Sequence, residues 1–245
     1  MDKSSGIDIS LRDQRDAWNR WNAEAREHAQ GEASKRQAAV VKHWLDTLAL
    51  KELELIDIGC GAGWMCERLL NYGRVTGTDL ADEVLKRAKD RLPQVCFVAG
   101  DFFELQFEDA HFDVAVVLEV LSHVTDRPAF LRRIARLLKP GGLLMLATQN
   151  RPVLERWSAI GPPSPGQIRR WVDSSSLRHL LASDFELLEM TSVLPVGDQG
   201  LLRIVNSTKF NRLLALFISQ HVLDRAKERL MLGHTLMACA KKRIA

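Results

Sequence analysis

The chemistry of this chain begins with three aspartates and a glycine turn. Leu53 to Met65 reads LELIDIGCGAGWM, a short apolar strand that breaks into Gly59, Gly61 and Gly63. Glycines permit tight turns and the close approach of backbone to a ligand. A dinucleotide fingerprint needs a further glycine at the sixth position, beside the pyrophosphate. Here that position is Trp64, and no Gly-Lys-Ser/Thr follows to make a P-loop. Asp57 stands two residues before the turn, and Asp79 comes twenty after Gly59. That distance suits a carboxylate accepting from two ribose hydroxyls. Asp101, in VAGDF, stands at a third strand end, placed for the far end of a nucleoside. Asp57 could also organise the turn, and Asp79 and Asp101 could cap helices. Further on, Glu119 and His123 lie four apart after an apolar run. A histidine there could act as a general base, since it titrates near neutrality. It could equally tie down a loop.

These residues need strand ends to hold them. From Leu53 the pattern alternates between strands (LELIDIG, RVTGTDL, QVCFVAGD, FDVAVVLEVL and GLLMLATQ) and helices. The fourth strand is nearly continuously apolar, as a strand covered on both faces should be. Strand and helix in alternation predict an α/β fold with a doubly wound, mostly parallel sheet. Residues up to about 49 read as N-terminal helix. After Arg151, RPVLERWSAIGPPSPGQ reads as loop, SSSLRHLLASD as a helix with serine caps, and FELLEMTSV as a strand. Residues 201–232 read as one or two helices, and HTLMACAKK closes the chain as an antiparallel strand at the C-terminal edge.

The ordered series D-x-G-x-G-x-G, Asp79, GD-F, FDVAVVLEVLSHV and LKPGG resembles the class I S-adenosylmethionine-dependent methyltransferases over about Leu53 to Gln149. The resemblance implies a Rossmann-like fold with S-adenosyl-L-methionine as cofactor and S-adenosyl-L-homocysteine as product. The turn with Asp57, Gly59, Cys60, Gly61 and Gly63 would cradle the methionine part and the ribose. Asp79 would bind the ribose hydroxyls with Leu80 on the adenine. Asp101 would accept from the adenine amino group, Phe102 would lie beside the ring, and Leu118 would lie near the sulfonium. Within this family, Glu119-Val-Leu-Ser-His123-Val and ATQNRP resemble the branch containing the O-methyltransferases of ubiquinone biosynthesis. That branch has a second glutamate directly before the histidine, where this chain has Ser122. With that carboxylate lost, an oxygen-ligand site for a hard cation is poorly supplied, so no metal is expected. The acceptor half diverges from the branch, so a quinone precursor is not implied.

The expected arrangement is a single methyltransferase domain over 1–245. It divides into an N-terminal helical lid (1–49), a cofactor-binding core (50–150) and a substrate-side half (151–245) with a cap over about 196–232. Trp18 and Trp21 share a helix face. Trp21 is a candidate cover for cofactor or acceptor, with Arg26 pairing the methionine carboxylate; the alternative is that both tryptophans anchor the helix in the core. Trp157 and Trp171 flank the proline-rich loop and could stack on a flat acceptor or only anchor that loop. Asp198 and Arg203 suit a substrate cap, where loop-borne polar groups are common.

Composition narrows the function classes. The chain has 245 residues and a net charge of +3. Leu201 to Ala245 carries nine Lys and Arg against Asp224 and Glu228. This surplus reads as solvated faces of amphipathic helices rather than a nucleic-acid surface, because no long basic run occurs. No N-P-P-Y-like segment, no Pro-Cys nucleophile and no added RNA-binding module argue for nucleic acid. The four cysteines lack metal-ligand spacing and suit a reducing compartment. No apolar run approaches the ~20 residues of a membrane span, and no signal peptide is evident, so a cytoplasmic setting is expected. The expected activity is methyl transfer to O or N of a small aromatic or heterocyclic metabolite, as in secondary biosynthesis. The alternatives are an RNA or protein methyltransferase, or a non-catalytic module that binds the cofactor.

Overall fold

A computed structural model describes residues 9–26, 30–48, 52–158, 160–194 and 220–244. Its centre is a seven-stranded sheet of order β3-β2-β1-β4-β5-β7-β6. The strands are β1 (Leu53–Ile58), β2 (Gly73–Asp79), β3 (Cys96–Ala99), β4 (Phe112–Leu118), β5 (Leu138–Gln149), β6 (Phe185–Val193) and β7 (Thr235–Lys242). The first five pair in parallel. β7 runs antiparallel between β5 and β6, so at the C-terminal side of the sheet it lies one place in from the rim. The expected fold class holds: a Rossmann-like, mostly parallel sheet closed by an antiparallel C-terminal strand.

Strand alternation explains why both faces are covered. Leu53 and Leu55 point to one face, and Ile56 and Ile58 to the other. The first face packs on α2 (Glu32–Asp46) through Val41, Trp44 and Leu45, and on α3 (Trp64–Leu69) through Met65, Cys66 and Leu69. The second packs on α5 (Arg127–Leu137) through Phe130, Leu131 and Ile134, and on α7 (Ser174–Leu181) through Leu177 and Leu181. The remaining helices among the described residues are α1 (Leu11–Trp21), α4 (Asp82–Arg91), α6 (Arg151–Trp157) and α8 (Gln220–Arg229). α1 runs on into a π-helical turn, Asn22–Arg26.

Two local expectations need correction. The stretch read as loop after Arg151 begins with α6, because Pro152 falls in the first turn, where its missing N–H costs nothing. α7 is capped by Asp173, whose carboxylate accepts from the Ser176 N–H at 2.7 Å, and not by a serine. α5 stops at Leu137, and LKPGG already runs along β4, with a register shift between Phe112 and Val114. Most of the expected cap, including Asp198 and Arg203, lies outside the described residues. Among the described residues no helix is long and apolar enough to cross a membrane.

Candidate active site

Sheet order reverses beside β1, where β2 and β4 leave on opposite sides. A cleft of about 830 Å3 opens there, beyond the carboxyl ends of β1 to β5. This is where open α/β sheets bind ligands. One end is the glycine turn. The Gly59 and Cys60 N–H groups both donate to the Thr78 carbonyl, which fastens the turn to β2. Gly59 has φ +76°, and a Cβ there would meet Val120 Cγ2 at 2.1 Å. Gly61 has φ +51°, with Asn22 Oδ1 at 3.0 Å from the same imagined atom. Gly63 caps α3 in the left-handed conformation. The turn therefore demands glycine on two grounds, conformation and close packing.

Asp79 ends β2 and reaches back to the turn. Its carboxylate accepts from the Gly61 N–H and the Ala81 N–H, each at 2.8 Å. It lines the cleft and ties the turn to the start of α4. Burial pushes its carboxyl up, and the backbone donors pull it back. Asp57 lies deeper. It is 2 % exposed and is not part of the cleft wall. It accepts from Cys66 Sγ at 3.2 Å, and burial pushes it up to about 7. Burial also pushes Cys60, which does line the cleft, up to about 11.

The next strand ends complete this half of the cleft. Leu80, Asp101, Phe102 and Leu118 all line it. Asp101 accepts from the Phe103 N–H at 3.0 Å. Phe102 packs edge-on to Phe130, with ring centroids 5.2 Å apart. Glu119 follows β4 with φ +65°, unusual for a residue with a side chain. It is not an exposed strand end. Its Oε1 accepts from Gln37 Nε2 at 2.5 Å and from Thr235 Oγ1 at 2.9 Å. His123 ends a short 3-10 turn, Leu121–His123. Its Nδ1 lies 2.5 Å from the Ile168 carbonyl oxygen. A carbonyl only accepts, so Nδ1 carries the proton and Nε2 holds the lone pair. Burial, and secondarily the Arg169 charge, lower the imidazole's proton affinity, although the bond to Ile168 raises it. The histidine thus ties down a loop and also lines the cleft with an imidazole whose proton affinity burial lowers.

The N-terminal helix forms one side of the cleft. Trp18 lies edge-on to His123, centroids 4.7 Å apart, and packs on Ala62, Ala81 and Val84. Trp21 is 37 % exposed, stands 5.7 Å from Trp18 and lines the cleft. Trp18 is therefore both wall and anchor, while Trp21 is the more open of the pair. Asn19 docks α1 on α4, donating to Asp82 Oδ1 at 3.0 Å and accepting from the Glu83 N–H at 3.2 Å. Arg26 closes the π-helical turn, and its side chain lies outside the described residues. Trp171 lines the cleft under the Arg169 guanidinium. Trp157 does not reach the wall; Leu154, on the same helix, does.

Sequence reading missed Asn22, Val120, Gln37, Arg169, His234 and Thr235, all in the cleft wall. Gln37 had a signal. It sits on the stripe Ser34, Gln37, Ala38, Val41, Trp44 and Leu45 that α2 buries, so a polar group there needs a partner. The others had none: Asn22 reaches the cleft from the π-helical turn after α1, Val120, Arg169 and His234 from loops, and Thr235 from the start of β7. Among the described residues no group of three or more His, Cys, Asp or Glu is placed to hold a metal ion.

The cleft fits a nucleoside cofactor: backbone approaches closely at Gly59 and Gly61, and the Asp79 carboxylate stands beside it. Known proteins agree. Residues 56–146 match the methyltransferase domain family. The chain is 31% identical over 180 residues to the ubiquinone biosynthesis O-methyltransferase of Idiomarina loihiensis, covering 70% of this chain and 71% of that protein. It is 32% identical over 181 residues to the enzyme of the same name from Methylocella silvestris, covering 68% and 71%. In fold it is similar to the N-methyltransferase NodS of Bradyrhizobium japonicum, solved with S-adenosyl-L-homocysteine. That match has a TM-score of 0.65 at 16% identity and covers 95% of this chain and all of the other.

Proposed function

The chain belongs to the class I S-adenosylmethionine-dependent methyltransferases, and on that premise we propose that it methylates an O or N atom of a small aromatic or heterocyclic metabolite. The observation that carries this reading is His123, neutral and held by Ile168 in a cleft wall shared with Trp18, Trp21 and Trp171. When bound, S-adenosylmethionine supplies an electrophilic methyl group and leaves as a neutral thioether. Gly59, Cys60 and Gly61 would hold its methionine and ribose part, Asp79 would take the ribose hydroxyls, Leu80, Asp101 and Phe102 would meet the adenine, and Leu118 would face the sulfonium. Asp57 and Gly63 act from beneath, shaping the turn. Trp21 covers the cleft, and the N-terminal segment 1–49 serves as the lid of one methyltransferase unit.

His123 accepts the acceptor's proton at Nε2 as its oxygen or nitrogen becomes nucleophilic. Glu119, fixed by Gln37 and Thr235, is its companion at the end of β4 and orients the acceptor. Positioning does most of the work, supplying roughly 7–11 kcal/mol of the barrier when the reacting atoms are held together. The aromatic walls suit a flat acceptor, because large rigid rings bind planar groups at small entropic cost. The O-methyltransferase relatives support an acceptor of this size.

The test is a metabolite screen with purified protein and methyl-labelled cofactor, preceded by titration with S-adenosyl-L-homocysteine and with NAD. Label is expected in a small aromatic or heterocyclic compound. Label confined to RNA or protein would overturn the acceptor class. Binding of NAD but not of S-adenosyl-L-homocysteine would overturn the cofactor.

A further inference from the structure

The cleft wall holds four carboxylates, Asp79, Asp101, Glu119 and Asp126, each already accepting hydrogen bonds. Its described lining holds one Lys or Arg, Arg169. Among the described residues Arg169 forms no ion pair; its Nη1 donates to the Gly161 carbonyl at 2.6 Å. The guanidinium carbon sits 5.4 Å from the Trp171 ring centre. Both neighbours in sequence are fastened to the segment after β4. The Ile168 carbonyl takes His123 Nδ1, the Arg170 N–H donates to the Ser122 carbonyl at 2.8 Å, and Arg170 Nη1 reaches the Thr125 carbonyl at 3.2 Å.

Arg169 is thus a held cation in the cleft wall, near His123, with spare donors and an aromatic ring next to it. Guanidinium is weakly hydrated and presents a planar fork that matches a carboxylate. A single bond to a carbonyl leaves most of its five donors for a ligand. From this we infer that the methyl acceptor is an aromatic acid, its carboxylate taken by Arg169 and its ring laid along Trp171, with the atom to be methylated toward His123. This rests on the methyltransferase reading and narrows its substrate class. A second carboxylate could compete for Arg169, that of the cofactor's methionine, and the experiment separates the two.

The probes are 3,4-dihydroxybenzoate and its uncharged counterpart catechol, titrated calorimetrically into protein saturated with S-adenosyl-L-homocysteine. The wild type is expected to bind the acid at least about tenfold tighter than catechol, the lower range for one charge-assisted pair. Arg169→Met is expected to lose that preference while keeping its affinity for S-adenosyl-L-homocysteine, and Arg169→Lys to retain part of it. Equal affinity for both probes, or no binding of the acid, overturns the inference without needing any variant. A weakened cofactor product in Arg169→Met with the acid preference intact reassigns the guanidinium to the methionine carboxylate and also overturns it. Failure of the wild type to bind S-adenosyl-L-homocysteine at all would instead bring down the methyltransferase reading on which the inference stands.

Discussion

Asp57 and Asp79 end neighbouring strands and carry the same functional group, yet their surroundings divide their work. Asp79 meets two backbone N–H groups and the cleft; Asp57 meets a thiol inside the protein. For Asp57 the folded carboxyl, at about 7, lies above its unfolded value of about 4. Ionisation therefore works against the fold. Its contribution is fully present below about pH 4 and is lost as pH rises through 7. Asp57→Asn is expected to flatten that decline, read as urea midpoints from pH 5 to pH 8; an unchanged slope would mean Asp57 is not the titrating group. Asp79→Asn weakens acceptance from ribose hydroxyls and from its own backbone donors. S-adenosyl-L-homocysteine should bind about tenfold to a hundredfold more weakly, at 1.5–3 kcal/mol for a charged hydrogen bond. For His123, a base held below its ordinary value must be neutral to work. Activity should fall on the acid side with a midpoint below the ordinary histidine value of about 6.5. His123→Gln should cost roughly 10²- to 10⁴-fold in kcat and abolish that acid limb, with little change in product affinity.

Elements decide whether those residues meet. The turn between β1 and α3 forms because Gly59 and Gly61 accept positive φ and because no side chain separates them from Val120 and Asn22. Gly59→Ala should lower stability by roughly 1–3 kcal/mol through strain alone and weaken cofactor binding as well. Thermal unfolding and product titration on the same sample check both. The strands, α2 and the glycine turn were legible in the sequence, since each has a strong local period or breaker. α6 was not legible as helix, because Pro152 reads as a breaker unless it is known to fall in a first turn. The cap on α7 was misread because Asp173 and three serines all qualify locally, and only backbone direction selects the aspartate. Gln37 was visible as a polar break in an apolar stripe, but its partner Glu119 lies 82 positions away and no local rule joins them.

At the scale of the molecule, the cleft exists because five parallel strand ends, the N-terminal helix and the segment after α6 converge on the crevice beside β1. A ligand bridging them should stabilise the whole. At a hundredfold excess over Kd, S-adenosyl-L-homocysteine contributes about 2.7 kcal/mol, which for a chain of this size raises Tm by roughly 5–10 °C. NAD at the same concentration should leave Tm unchanged.

Taken alone, the sequence determined the parallel strands and the glycine turn with aspartates at the strand ends, because these rest on hydrophobic period and on backbone chemistry encoded within about fifty residues. Tertiary structure alone decided that Asp57 is buried beneath the turn while Asp79 faces the cleft. It alone decided that Trp18 stands against His123, and that Arg169 comes to rest on Trp171 near that histidine. Those meetings join residues from distant segments, and their energies belong to the packed crevice rather than to any stretch of chain.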